Sequence, residues 1–194
     1  MKTSIIAVLS FAMSMLIASP ILAQENFKVD TKASTLEWIG KKVTGKHNGT
    51  IQVKSGNVSL TKGKLSGNFT IDMTTIENND LEGEYKTKLE NHLKSDDFFS
   101  VEKFPTSTFK ITKAVDEGNG KYEITGDLTI KGITNPVTFP ATISVIDGEL
   151  RADANITFDR SKWKVKYGSG SFFDDLGDKM IYDDVYLSLS LVGK

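Results

Sequence analysis

The chain has 194 residues, with 24 Lys and Arg against 25 Asp and Glu, so its formal net charge is -1. This balance argues against nucleic-acid binding, which needs Lys and Arg massed on one face to neutralise phosphates. The sequence contains no cysteine, which excludes disulfide bonds, thiolate catalysis, iron–sulfur ligation and lipid attachment through cysteine. The length fits one domain, whose core must be held together by packing.

The start of the chain has the pattern of an export signal. Lys2 provides a positive charge, residues 5–18 are almost wholly apolar, and Ala23 is a small residue after them. This pattern predicts a secretory signal peptide over residues 1–23 and a mature domain over residues 24–194. Because an exported chain without cysteine suits a bacterial periplasm, we expect the protein to act there or to be secreted.

Beyond residue 34 the apolar residues recur at every second position, which is the period of half-buried β-strands. Short connections such as Asp147-Gly148 force neighbouring strands to be antiparallel, and an irregularity at Lys54-Ser55-Gly56 predicts a β-bulge. We therefore predict an all-β fold, an antiparallel barrel of about eight strands. The apolar runs begin at the following residues: Leu36, Ile51, Leu65, Phe109, Tyr122, Val137, Leu150 and Val185.

One segment departs from this period and predicts a helix. Its apolar residues are four positions apart, with charged residues between them: Leu81, Tyr85, Leu89 and Leu93. This spacing is typical of an amphipathic helix, which we place over residues 80–94 with Asp80 as its N-cap. The helix falls in a long connection between two strands, so its apolar stripe is expected to cover an open end of the barrel.

A second irregular stretch, residues 162–184, joins the last two predicted strands and is rich in Asp, Gly and Phe. Connections of this length without secondary structure are uncommon in compact domains and often form functional lids. We therefore expect this stretch to lie near the mouth of the barrel, beside the predicted helix.

The sequence shows no constellation typical of an enzyme or a metal site. His47 and His92 are the only histidines, whereas zinc needs three or four nitrogen, sulfur or oxygen ligands. Acidic pairs such as Asp96-Asp97, Asp174-Asp175 and Asp183-Asp184 resemble acid–base carboxylates, but adjacent residues in an extended chain point to opposite sides. We predict no catalytic residue, no metal and no cofactor.

A barrel of about eight strands is either filled by its own side chains or encloses one ligand. The inward positions mix large aromatic residues with Gly67, Gly126 and Ala154, which favours an apolar and incompletely filled interior. Two alternatives stay open at this point. One is a solid interaction or adhesion domain without a ligand, and the other is an enzyme acting on a lipid or quinone through His47 or His92.

Several short motifs follow one another along the chain: Trp38-x-Gly40, His47-x-Gly49, Phe69-x-Ile71-Asp72-Met73, His92-Leu93, Asp97-Phe98-Phe99, Phe104-Pro105-Thr106, Gly126-x-Leu128-Thr129-Ile130-x-Gly132 and Val137-x-Phe139. Their order resembles that of the YceI-like family of polyisoprenoid-binding periplasmic proteins. The resemblance implies a lipocalin-like antiparallel barrel whose long tunnel encloses a polyprenyl chain or a related amphipathic lipid. It also implies no enzymatic reaction and no metal.

Together, the residue pattern and the resemblance predict a periplasmic protein that carries or sequesters a polyisoprenoid, an isoprenoid quinone or a fatty-acid derivative without catalysis. An exposed apolar strand edge could also pair with a second copy, which leaves a homodimer open. A slip of one residue in any strand would reverse its inward face. The predicted ligand-binding residues are Trp38, Phe69, Ile71, Leu89, His92, Leu93, Phe98, Phe99, Phe109, Leu128, Phe139, Phe158 and Leu187.

Overall fold

The computed structural model describes residues 24–61 and 64–194, and the predicted signal peptide lies outside this part of the chain. The described residues form one antiparallel sheet and one α-helix. The elements are β1 (Glu25–Lys28), β2 (Thr35–Lys42), β3 (Gly45–Thr61), β4 (Lys64–Asn78), α1 (Gly83–Lys94), β5 (Thr106–Gly118), β6 (Lys121–Ile130), β7 (Ile133–Ile146), β8 (Glu149–Asp159) and β9 (Ile181–Gly193).

The sheet closes into a barrel of eight strands. Neighbouring strands follow the order β3-β2-β9-β8-β7-β6-β5-β4, and β4 pairs again with β3. The predicted antiparallel barrel with one helix is therefore confirmed, and β2 to β9 correspond to the eight predicted runs. The sequence pattern did not predict β1, a ninth strand that pairs with β3 from Glu25↔Leu60 to Lys28↔Asn57.

Because consecutive strands are antiparallel, their connections alternate between two ends of the barrel. The end that carries β1 and the β3–β4, β5–β6 and β7–β8 connections is called the lower end. The upper end carries the β2–β3 and β6–β7 turns, the segment that contains α1, and residues 160–180. The two longest connections therefore lie at the same end.

Tight turns and one bulge lie where the sequence predicts them. The turn residues Asp147 and Gly148 have φ angles of 52° and 78°, and Asn119 and Gly120 have 53° and 75°. These left-handed values are those of a type I′ hairpin turn. The register of β3 against β4 shifts between Val53 and Ser55, which confirms the predicted bulge.

The helix begins later than predicted. Its N-cap is Glu82, whose side chain makes no capping hydrogen bond. Asp80 instead accepts a hydrogen bond from the backbone N–H of Asn48 at 2.8 Å, so its carboxylate links the helix segment to β3. The predicted apolar stripe is wrong at Tyr85, which is 74% exposed, because only the C-terminal half of the helix covers the barrel.

The second long connection is shorter and better packed than predicted. It ends at residue 180, because β9 already begins at Ile181. The indole Nε1 of Trp163 donates a hydrogen bond to the carbonyl of Leu128 at 3.0 Å. The first half of the connection is thus part of the upper barrel and not a loose lid. Four of its residues are at most 2% exposed: Arg160, Trp163, Val165 and Ser169.

A substitution at Gly126 tests how closely the barrel interior is packed. A Cβ added there would meet the ring of Phe109 and lie 2.6 Å from the carbonyl oxygen of Lys110. We expect Gly126→Ala to lower the free energy of unfolding by about 1–3 kcal/mol, since overpacking displaces neighbouring groups. Gly40→Ala is the control, because no heavy atom lies within 4 Å of its added Cβ. Urea unfolding measures both, and equal effects would contradict the described packing.

Candidate functional site

A cavity occupies the upper half of the barrel, and its walls are apolar almost throughout. Its volume is about 180 Å³, far more than the roughly 10–15 Å³ that one water molecule needs. Strands form the walls, and α1 with the segment after it forms the cover. The lining residues are Leu36, Trp38, Gly40, Lys41, Lys42, His47, Ile51, Ile71, Met73, Ile76, Leu89, Leu93, Phe98, Phe99, Ser107, Leu128, Ile130, Phe158, Arg160, Ile181, Tyr182, Val185 and Leu187.

Aromatic side chains pack against one another below the cavity. The ring centroids of Phe69 and Phe109 are 6.4 Å apart, and those of Phe109 and Phe139 are 5.5 Å apart. Gly67 and Gly126 lie against two of these rings, so the small residues make room for aromatic side chains and not for a ligand. These three rings are not among the residues that line the cavity, so the described space is shorter than the expected tunnel.

The structure brings nine of the thirteen predicted binding residues together around the cavity: Trp38, Ile71, Leu89, Leu93, Phe98, Phe99, Leu128, Phe158 and Leu187. Phe69, Phe109 and Phe139 do not line it, because they pack against one another below it. His92 does not line it either. Its ring instead packs edge-on against Tyr167, with centroids 4.4 Å apart.

The polar rim of the cavity was not among the predicted binding residues. It includes Lys41, Lys42, Tyr182 and His47, and the buried Arg160 lies in the wall. The Lys41-Lys42 pair at the end of the Trp38 run is the one signal that could have found this rim. To use that signal, one must know which residues of β2 lie at the upper end of the barrel.

Arg160 is a buried cation in the cavity wall. Its guanidinium donates hydrogen bonds to the carbonyls of Tyr182, Val165 and Ile181 at 3.2, 2.9 and 3.1 Å. Burial lowers the pKa of Arg160, although Asp183, whose Oδ1 lies 3.3 Å from Nη2, acts in the opposite direction. Arg160 thereby fixes the 160–180 connection to the start of β9.

A polar cluster at the mouth ties α1 to the barrel. His47 Nδ1 lies 2.8 Å from Asp80 Oδ2, and Asp80 Oδ1 accepts hydrogen bonds from the Asn48 N–H and the Asn78 amide at 2.8 and 2.6 Å. Partial burial acts to raise the pKa of Asp80, but these hydrogen bonds outweigh it and lower the pKa. The N–H of the fully buried Asn78 donates to Glu90 of α1 at 2.9 Å.

Over residues 24–61 and 64–194, no group of three or more His, Asp or Glu side chains is placed to hold a metal ion. In the same part of the chain no helix is long and apolar enough to cross a membrane. The cavity itself is not expected of a solid interaction domain. An enzyme would have to use His47 with Asp80, the histidine–carboxylate pair at the cavity mouth.

Comparison with known proteins identifies the family. The model of the YceI-like domain matches residues 27–193, so the chain belongs to this family. A UPF0312 protein of Vibrio parahaemolyticus is 34% identical over 151 residues, which cover 73% of this chain and 74% of that protein. A UPF0312 protein of Photorhabdus laumondii is 33% identical over 122 residues, or 63% of this chain and 59% of that protein.

Solved structures share the barrel. BcnA of Burkholderia cenocepacia matches with a TM-score of 0.70 and 26% identity, covering 86% of this chain and 99% of BcnA. A polyisoprenoid binding domain from Saccharophagus degradans, implicated in plant cell wall breakdown, matches with a TM-score of 0.62. It is 12% identical over 87% of this chain and 97% of that domain, so this likeness concerns the fold alone.

The lowered pKa of Asp80 predicts a pH-dependent contribution to stability. Its ionised form stabilises the fold above the ordinary aspartate pKa, and this contribution is lost as pH falls through the lowered folded value. We expect Asp80→Asn to lower the free energy of unfolding by about 1 kcal/mol at neutral pH, and by less in acid. Urea unfolding across pH measures this, with the exposed Asp153→Asn as control. A loss independent of pH would contradict the assignment.

Proposed function

We propose that this member of the YceI-like family is a non-catalytic carrier or sequestering protein for a long apolar chain, such as a polyisoprenoid, an isoprenoid quinone or a fatty-acid derivative. The cavity in the upper barrel, with about 180 Å³ of space and almost wholly apolar walls, is the observation that carries the proposal. Moving a hydrocarbon chain out of water contributes about 0.8 kcal/mol per CH₂, so binding requires no reactive group.

The size of the cavity bears on how a long chain is held. An engineered cavity of about 150 Å³ binds benzene, so the described space suits one end of a long chain. Further room would come from the cover of the cavity. No residue of α1 is fully buried, and elements with little buried apolar surface are the ones that open most readily.

The fold of a polyisoprenoid binding domain from Saccharophagus degradans supports this choice of ligand class by analogy. We also propose that the protein acts in the periplasm or is secreted after loss of residues 1–23. The charged start and apolar run of this segment support export. Mass measurement of the protein recovered from the periplasmic fraction tests this. A chain that begins at Gln24 is expected, and an intact Met1 in the cytoplasm would contradict it.

Mass spectrometry of organic extracts from the purified protein is the direct test of lipid binding. We expect one class of long-chain lipid in repeated preparations, and saturable binding of offered prenols, quinones or fatty acids. A mock purification from cells without the protein is the control. Extracts without lipid, together with no binding of any offered chain, would contradict the carrier function.

An enzyme acting on a lipid or quinone is a second candidate, favoured by the 2.8 Å contact between His47 Nδ1 and Asp80 at the cavity mouth. A histidine paired with a carboxylate can exchange protons with a bound substrate. Long incubation with a retained lipid, followed by mass analysis, separates the two functions. An unaltered lipid supports the carrier, whereas a product that disappears in His47→Gln supports the enzyme.

Filling the cavity should prevent binding without unfolding the barrel. Ile71→Trp and Leu187→Trp place a larger side chain in the wall of the cavity, so we expect lipid affinity to fall at least about tenfold, or 1.4 kcal/mol. Val145→Trp, on the exposed lower part of β7, is the matched control. Displacement of a fluorescent fatty acid measures affinity, and circular dichroism checks the fold. Undiminished binding by both filled variants would contradict the assignment of the cavity.

A further inference from the structure

The lining of the cavity includes basic residues and no acidic residue. Lys41, Lys42, His47 and Arg160 belong to the lining, which includes no Asp or Glu. Within the described part of the chain, neither Lys41 nor Lys42 forms an ion pair with a carboxylate. Basic residues and no acidic ones therefore stand around the upper end of an apolar cavity.

Two of these four basic residues already have partners within the protein. The guanidinium of Arg160 donates to three backbone carbonyls and pairs with Asp183. The Nζ of Lys41 lies over the ring of Tyr186, 4.1 Å from its centroid. Lys42 and His47 remain as the groups able to receive a ligand at the opening.

Strand register places Lys42 and His47 on the two arms of one hairpin. Lys42, the last residue of β2, pairs with Ile181 of β9, and His47 on β3 pairs with Gly40. The side chain of His47 is 30% exposed, and Lys42 is also exposed. Both can therefore approach a group that sits at the opening while its chain lies inside.

Asp80 orients the imidazole of His47 through its contact with Nδ1. This leaves Nε2 without a hydrogen-bond partner among the described residues. Nε2 is therefore the ring nitrogen that can meet a group at the opening. The carboxylate of Asp80 is itself satisfied by Asn48 and Asn78, so it orients the ring without entering the cavity.

We propose that the lipid taken up by the barrel carries an anionic headgroup, a carboxylate or a phosphate at one end of its chain, bound between Lys42 and His47. The inference rests on the proposed carrier function and adds the chemical class of the ligand. A charge-assisted hydrogen bond from the Lys42 ammonium is about twice as strong as a neutral one. No carboxylate lines the cavity, and the carboxylate of Asp80 beside His47 accepts hydrogen bonds from Asn48 and Asn78.

Three ligands with one tail test the headgroup directly: dodecanoate, dodecyl phosphate and dodecanol, each below its micelle concentration. Competition against a fluorescent fatty acid at neutral pH and low salt gives the three affinities. We expect the wild-type protein to bind at least one of the two anions about tenfold more tightly than the alcohol. The carboxylate and phosphate arms then show which acidic headgroup the opening prefers.

Variants assign that preference to its residues. Lys42→Gln and His47→Gln should each lose most of the preference for the anion and bind dodecanol as the wild type does. Lys42→Glu should reverse the preference. Lys46→Gln is the matched control, because Lys46 is exposed on the same hairpin and does not line the cavity. Urea unfolding of each variant verifies that the barrel is intact.

The outcomes separate this inference from the function on which it rests. Equal affinities for the anions and the alcohol in the wild type would overturn the headgroup site while supporting the carrier. A preference that survives in both Lys42→Gln and His47→Gln would also overturn the site. Binding of none of the three ligands would overturn the headgroup site, and it would overturn the carrier function itself if organic extracts of the protein also hold no lipid. Loss of the preference in Lys46→Gln as well would replace a defined site by a general surface charge.

Discussion

The pairing of β3 with β4 closes the barrel, and the other features depend on it. β3 pairs with β2 over its first residues, with β1 over its last, and with β4 along most of its length. One strand can serve three partners because β2 and β1 pair with different stretches of one edge of β3, while β4 pairs with the other edge. Against β4 the register shifts twice, between Thr50 and Gln52 and between Val53 and Ser55. Such bulges bend a strand and increase its twist, which brings the two ends of the sheet together.

Closure creates one interior with two unlike halves. Below, glycines such as Gly126 allow aromatic rings to meet, and Leu150 is fully buried. Above, the wall residues, Arg160 among them, leave an apolar space that the helix segment covers. The same closed sheet thus supplies a packed half that accounts for stability and a hollow half available for binding.

Much of this fold follows from local sequence. Period-two patterning predicts strands because a closed sheet has one apolar face, and Asp147-Gly148 adopts the left-handed turn that its residues favour. Contacts between distant residues are harder to predict. The sequence predicts Asp80 as a helix cap, yet its carboxylate accepts a hydrogen bond from the backbone N–H of Asn48 on β3. Likewise, the burial of Trp163 depends on the carbonyl of Leu128.

For the candidate site too, local sequence pattern predicts one part, and contacts between distant residues decide the rest. Parity identifies which side chains face inward, but it does not give their height along the barrel. Phe109 and Leu128 are opposite each other in the β5–β6 register, yet only Leu128 lines the cavity. Height depends on the register of all eight closed strands, which no single segment encodes. For the same reason, the period-two pattern does not identify the basic residues at the upper end as part of the site.

The aromatic packing below the cavity bears on how a lipid would enter and leave the barrel. The rings of Phe69, Phe109 and Phe139 pack against one another below the cavity. For the carrier function that we propose, the upper end is then the side at which a lipid would enter and leave. A protein that delivers the lipid and one that receives it would use this same end of the barrel in turn.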